Sequence, residues 1–430
     1  MHITIVGAGL AGAEASYQLA KRGVHVTLIE MRPIKHSPAH QTDQAAELVC
    51  SNTFRSNDLK NAVGVMKEEM RQWDSLIIRC ADQHRIPAGG ALAVDREGFS
   101  SCVHQALSEH PNITLKHEVV EKIPKGPTIL ATGPLTDEAL MQDIKRFTGE
   151  ESAYFYDAAA PILDASTINT DICFRKSRWD EENEGDYLNC PMNETQYKAF
   201  YEALINAETA PIKDFELKVF EGCMPIEEMA RRGEQTMLFG PLKPVGLMHE
   251  GIKHHAVIQL RQDDARQTMY NVVGFQTHLK FGEQKRILRM VPGLENAEII
   301  RYGVMHRNSF INAPNVLNAH YQTKQREDLW IVGQLAGVEG YVESAASAIV
   351  AAQSAYAYLT NTENKPFPRH SVMGAQADYI AHAPIKHFQP MNANFGLLSP
   401  IEERHPKKER KALMAKRALA AMERFRHERP

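Results

Sequence analysis

The first thirty residues constrain this chain more than any other stretch. His2-Ile3-Thr4-Ile5-Val6 is short and β-branched, as a buried parallel strand is. Gly7-Ala8-Gly9-Leu10-Ala11-Gly12 follows, a GxGxxG turn, and then a helix-forming run over residues 13–22 that ends at Gly23. A second strand, residues 24–29, ends in Glu30, 18 residues after the third glycine. The order strand, glycine turn, helix, strand, acid is that of a dinucleotide-binding unit. Gly7 allows the tight turn, Gly9 lets the backbone approach a pyrophosphate, and Gly12 lets helix and strand pack closely. The helix start offers free N–H groups and a positive dipole end to phosphate. Glu30 can accept hydrogen bonds from a ribose.

Three features point to FAD rather than NADP. The unit stands at the extreme N-terminus and ends in an acid, not a base. An apolar run over residues 128–131 leads into Thr132-Gly133, an ending that recurs in FAD-binding sheets. A third run, residues 329–332, enters a second glycine-rich turn, Gly333-Gln334-Leu335-Ala336-Gly337-Val338-Glu339-Gly340, ahead of a helix-forming stretch at 343–359. The chain therefore leaves the nucleotide domain and returns more than 300 residues later to complete it. The expected class is α/β: a Rossmann-like FAD-binding domain, with a parallel sheet and helices on its faces, split by an α+β insertion. The predicted limits are 1–178, 179–305 and 306–430, with the acidic turn 180–186 as exit linker. A helix is expected over 194–207, and strands over 254–260 and 298–304.

At 430 residues the chain has room for two to three domains. No apolar run is long enough to cross a membrane, and the strand at the N-terminus leaves no room for a signal peptide. Six scattered cysteines (50, 80, 102, 173, 190, 223) form neither a metal signature nor a disulfide framework, so a reducing cytoplasm is expected. Net charge is −4, but residues 404–430 hold ten Lys/Arg against three Glu, +7, leaving −11 for the rest. A basic patch for RNA is thus compatible with an acidic chain. Residues 408–426 are predicted to be helical, with Ala412, Ala415, Leu419 and Met422 on one face.

Cys50 and Cys223 stand in polar, Gly/Ser/Asn/Pro-containing segments where a thiol can meet a substrate. Composition alone reads each as an ordinary small buried side chain. The other four cysteines have no reading beyond that. Several segments set Arg, Gln, Asn or His beside glycine or aromatics: 229–233, 238–247, 259–262, 271–277 and 302–308. Such mixtures suit polar planar ligands, and equally suit ordinary turns.

These residues together resemble a known family, the folate- and FAD-dependent tRNA uracil-5-methyltransferases, also called TrmFO or Gid proteins. The resemblance runs almost end to end. It includes 6–14, 48–52, 239–247, 271–279 and 302–308, and is tightest over 332–346. The larger GidA-type tRNA-modifying proteins share the opening fold. The resemblance implies methylation of C5 of uridine 54 in the tRNA T-loop. The one-carbon donor is 5,10-methylenetetrahydrofolate, and FAD reduced by NADPH or NADH is reductant and methylene carrier. It implies that Cys50 and Cys223 are catalytic. It also implies FAD contacts from Gly7, Ala8, Gly9, Leu10, Ala11, Gly12, Glu30, Thr132, Gly133, Gly333, Gln334, Glu339 and Gly340.

In that chemistry a thiolate adds to C6 of uracil and makes C5 nucleophilic. Cys223 is the preferred attacker, with Cys50 shielding the flavin or serving as second thiol. Arg55 is a candidate to lower the thiol pKa. RNA contacts are expected from Arg231, Arg232 and Lys243, and from Lys407, Lys408, Arg410 and Lys411 in the tail. No obligate protein partner, membrane contact or metal is expected. The alternatives are the same chemistry on a ribosomal RNA uridine, a flavin oxidoreductase acting on a small molecule, and a flavin-bound RNA-binding module without catalysis.

Overall fold

The structure is a computed structural model and describes residues 1–149, 153–178, 185–211, 224–402 and 405–428. Two sheets organise it. The first is wholly parallel, in the order Leu329–Ile331, Thr128–Leu130, His2–Val6, His25–Glu30, Ile113–His117. Its outermost strand arrives from the far part of the chain, so the split predicted from the two glycine turns is built into the sheet.

The helix Leu10–Ala20 has one partly exposed residue, Tyr17; the other ten are buried. It packs along Tyr341–Thr360, also rich in Ala and Ser. Small side chains on both helices permit that close approach. The two helices, the sheet and the C-terminal helix share one hydrophobic core.

The second sheet is antiparallel, in the order Phe174–Arg175, Tyr187–Met192, Ala256–Gln262, Met269–Val272, Ile162–Asp164, Ile299–Arg301. It has its own core with the helices Glu194–Ile205, Ile226–Arg231 and Phe281–Leu288. A two-stranded ribbon, Ala153–Ala158 against Met305–Phe310, joins the two bodies. The strands at 162–164 and 174–175 belong to this sheet, so it begins ahead of the predicted boundary at 178/179. The strands on either side of the predicted linker 180–186, Phe174–Arg175 and Tyr187–Met192, pair with each other; residues 179–184 lie outside the described residues.

One cysteine expectation is corrected. Cys80, on Leu76–Gln83, and Cys102, on Arg96–Ser108, form a disulfide with Cα atoms 5.9 Å apart. Cys173 and Cys190 are buried with their sulfurs 3.2 Å apart. Sequence spacing could not reveal either pair, because each joins different elements.

The tail forms the helix Arg410–His427, but its buried stripe is Met414, Ala415, Ala418, Ala421, Met422 and Phe425. Ala412 is exposed and Leu419 half-buried, so the stripe is rotated from the predicted one. Aromatic packing sets the rotation. Phe425 lies 4.8 Å from Phe367 and 6.4 Å from Trp73, centroid to centroid, and the Trp73 indole N–H donates to the Met422 sulfur at 3.0 Å. Removing a buried Phe ring costs about 3–5 kcal/mol. Phe425→Ala should therefore lower stability on that order and speed amide exchange across 410–427. Unchanged exchange would show that the helix is held by something else.

Candidate functional site

The site begins at the glycine turn. Gly7 has φ 96°, and a Cβ there would fall 2.6 Å from the Ala131 carbonyl oxygen. A Cβ on Gly12 would collide with the Gly7 carbonyl. Gly9 has nothing within 4 Å of its Cβ position and stands at the N-cap of Leu10–Ala20 with no side-chain cap. The first-turn amides therefore face open space, as a phosphate requires.

Glu30 closes the unit. Its carboxylate accepts the Ala8 N–H at 2.7 Å and the Arg32 N–H and Nε–H at 3.2 and 2.9 Å. Burial pushes this carboxyl up, but the Arg32 bonds and charge outweigh burial and hold it below its ordinary value. Glu30 stays ionised, and its two oxygens keep an accepting position for a ribose hydroxyl. Arg32 also reaches Glu47 at 3.3 Å. Burial and the Arg32 charge hold the nearby His40 imidazole down to about 4, so it is neutral at pH 7.

These groups line one cleft with Gly7, Gly9, Leu10, Ala11, Thr132, Gly133, Gly333 and Gln334. Ala8 and Gly12 do not line it; they shape it from behind. The residues present fit FAD: a glycine cradle, open helix amides and a charged acid at the end of the second strand.

A second chamber adjoins the first. Val49, Pro134, Leu135, Gln334, Tyr341 and Ser344 line both. Glu339 and Gly340 line only this second chamber, together with Cys50, Ser51, Arg55, Arg261, Asn271, Gly274, Gln276, His306 and Asn308. The polar segments 271–277 and 302–308 thus meet at Cys50. Among the described residues, the Asn271 side-chain NH2 and the His306 Nε2 are buried without a hydrogen-bond partner. Such orphans suit a planar polar ligand.

Cys50 is half-buried. Its N–H donates to the Tyr341 hydroxyl at 2.9 Å. Arg55, the expected neighbour of the thiol, lines the same chamber and is ion-paired with the buried Glu343. Other arginines hold the loop. Arg96 donates to the carbonyls of Leu48 and Cys50 (3.0 Å for the latter) and pairs with Asp263 at 2.8 Å. Arg261 donates to Ser51 at 2.8 Å and Asn52 at 3.0 Å. Arg301 donates to the Val49 carbonyl at 3.0 Å. Arg32, His40 and Arg96 carry no local motif and were missed; only proximity in the fold marks them.

Cys223 lies outside the described residues. Three residues on, the Ile226 N–H donates to the Gln276 carbonyl at 2.7 Å, and Gln276 lines the Cys50 chamber. Arg231 and Arg232 are exposed and Lys243 is half-buried, all outside both chambers. Lys407, Lys408, Arg410 and Lys411 are exposed at the start of the C-terminal helix. Among the described residues no helix is long and apolar enough to cross a membrane.

Known proteins share this arrangement. The family model "Glucose inhibited division protein A" matches residues 2–363. A relative from Shouchella clausii, named methylenetetrahydrofolate--tRNA-(uracil-5-)-methyltransferase TrmFO, is 58% identical over 430 residues, covering 99% of this chain and 98% of the relative. One of the same name from Enterococcus faecalis is 59% identical over 421 residues, covering 97% of each chain. A crystal structure of GidA from Aquifex aeolicus matches 99% of this chain and 75% of its own, with a TM-score of 0.72 at 17% identity. The chain belongs to the glucose inhibited division protein A family, within its TrmFO branch of folate- and FAD-dependent tRNA uracil-5-methyltransferases.

Gly12→Ala tests the cradle. Forcing a methyl group against the Gly7 carbonyl should cost about 1–3 kcal/mol and strip the flavin. The visible flavin absorbance relative to protein absorbance reads the loss; a variant as yellow as the parent would remove Gly12 from the cradle.

Proposed function

We infer that this protein methylates C5 of uridine 54 in the T-loop of tRNA, using 5,10-methylenetetrahydrofolate as one-carbon donor and NADPH or NADH as electron source. The observation that carries the reading is the pair of chambers with a common wall: a dinucleotide cleft opens directly onto a polar chamber containing Cys50. Near-full-length identity to proteins of that name supports it. When bound, FAD supplies two-electron reduction and carries the one-carbon unit.

The chain's own residues do the rest. Gly7, Gly9, Leu10, Ala11, Thr132, Gly133, Gly333 and Gln334 hold the cofactor, with Glu30 on its ribose. Glu339 and Gly340 position the turn on the chamber side. Asn271 and His306 offer polar atoms to the edge of a planar ring. A cysteine thiolate adds to C6 of uracil, forming an S–C6 bond and moving the ring's electron pair to C5. C5 then bonds the one-carbon unit. A base removes the C5 proton as the one-carbon unit parts from its carrier, leaving a methylene on C5; a hydride equivalent, which bound reduced FAD would supply, completes the methyl group, and the thiolate leaves C6. Cys223 is the attacking thiol and Cys50 the second, beside the cofactor. Arg96 positions Cys50 through its carbonyl, and Arg261 holds the Ser51 and Asn52 side chains behind it.

The reaction takes place in the cytoplasm and needs no second protein. Purified protein given a T-loop transcript, the folate and NADPH should form 5-methyluridine, read by nucleoside chromatography. Cys223→Ala should abolish the product while keeping the flavin. Product formed on ribosomal RNA but not on tRNA would move the substrate; full activity in Cys223→Ala would reject the mechanism.

The exposed Lys407, Lys408, Arg410 and Lys411 contact tRNA phosphates. The segment behind them runs from Asn392 at the chamber to Ser399 and Pro400, whose carbonyls accept from Arg417 of the helix (2.9 Å for Pro400). Reversing the four charges should weaken tRNA binding. It should also flatten the salt dependence by roughly 0.7–0.9 in log–log slope for each phosphate no longer neutralised. An unchanged slope would place the RNA elsewhere.

A further inference from the structure

We propose that Phe239 is a stacking platform for a nucleobase of the RNA substrate, beside the uridine that enters the Cys50 chamber. The proposal rests on the tRNA reading above and adds a contact to it. Phe239 ends the short helix Glu234–Phe239, and its side chain is 79% exposed, the most exposed of the large hydrophobic residues among those described. An aromatic ring left in water calls for a partner when its mount is rigid, and this mount is rigid. The Gly240 and Leu242 N–H groups both donate to the carbonyl of buried Met237, at 3.1 and 3.0 Å. Leu242 is itself buried, and its carbonyl accepts the Val257 N–H at 3.1 Å.

The mount also touches the chamber. A Cβ on Gly274 would collide with Pro241, two residues from Phe239, and Gly274 lines the chamber with Cys50. Phe239 is thus two residues from Pro241, which packs on the chamber-lining Gly274. Three basic residues stand near it, beside Glu228 and Glu234. Arg231 and Arg232 are exposed on the preceding turn, and Lys243 follows four residues on. Arg231 pairs with Glu228, an exposed pair that a phosphate can replace at little cost.

The chemistry of the ring selects the partner. Phe has no donor or acceptor, so it reads the π-face of a base and not its edge. An enzyme that modifies a base held in folded RNA must take that base out of its stack. An exposed aromatic ring mounted on the segment that packs against the chamber wall replaces the stacking partner that the neighbouring base gives up.

Two variants test this in the full-length, flavin-loaded protein. Base–aromatic stacking corresponds to roughly a 5- to 150-fold change in affinity. Phe239→Ala should weaken tRNA transcript binding within that range and raise the KM for tRNA. Flavin content, melting temperature and the KM for methylenetetrahydrofolate should stay at parent values. Phe239→Trp should bind within about threefold of the parent, and its added indole fluorescence should fall when transcript is titrated in. Parent-like transcript affinity in Phe239→Ala overturns the proposal. A defect confined to the folate KM overturns it in favour of a pterin contact, and a change in oligomeric mass alone overturns it in favour of a contact between copies. A parent protein that leaves the transcript unmethylated overturns the underlying reading instead.

Discussion

Three largely buried arginines hold the loop that carries Cys50, and the site depends on them. The loop 48–52 lies between the two sheets, where its carbonyls cannot pair in a regular ladder. Buried carbonyls need donors, and a guanidinium supplies up to five in a fixed fork. Arg96 takes the carbonyls of Leu48 and Cys50, Arg301 takes that of Val49, and Arg261 takes the side-chain oxygens of Ser51 and Asn52. Arg261 and Arg301 stand on strands of the second sheet. Arg96 starts a helix of the first body but pairs with Asp263, next to the second sheet. The thiol is thus positioned by the junction itself. Breaking such a buried pair costs about 3–5 kcal/mol, so separating the bodies and displacing the loop amount to one event.

The same logic works on the nucleotide side. Glu30 bonds Ala8 in the glycine turn and Arg32 in the next segment, which continues to Glu47 just ahead of the Cys50 loop. A charged chain of contacts therefore runs from the cradle towards the loop. Tyr341 adds a second connection, because its hydroxyl accepts from Cys50 N–H while its ring lines both chambers. A cofactor and a substrate placed in the two chambers would meet over residues whose positions are set from both sides.

What could be read from the sequence follows from how local each signal is. The dinucleotide unit was legible because all its parts fall within thirty residues and each glycine has a steric reason, visible now at Gly7 and Gly12. The return of the chain was legible because the second glycine turn repeats that chemistry. The Cys50 clamp was not: Arg96 and Arg261 stand 46 and 211 residues from it, and although Arg261 falls in the polar segment 259–262, nothing in the sequence ties either to the cysteine. The Cys80–Cys102 and Cys173–Cys190 pairs were hidden for the same reason. The tail helix was read from its composition, but its rotation was not. Trp73 and Phe367 draw Phe425 inward, and no pattern within the helix shows where its aromatic partners stand.

Net charge fails as a guide for a related reason. A tally counts Arg32 and Arg261 like any other base, yet both are buried and engaged with the protein's own oxygens. Each lost its value for long-range attraction when it took up a structural post. Lys407, Lys408, Arg410 and Lys411 count the same in the sum, but all four are exposed and grouped at the start of the C-terminal helix. What a polyanion meets is exposed charge such as the second set, screened over about 8–10 Å at ordinary ionic strength. A chain of net −4 can therefore present a strongly positive edge, and the relevant quantity is the charge left at the surface after the fold has used what it needs.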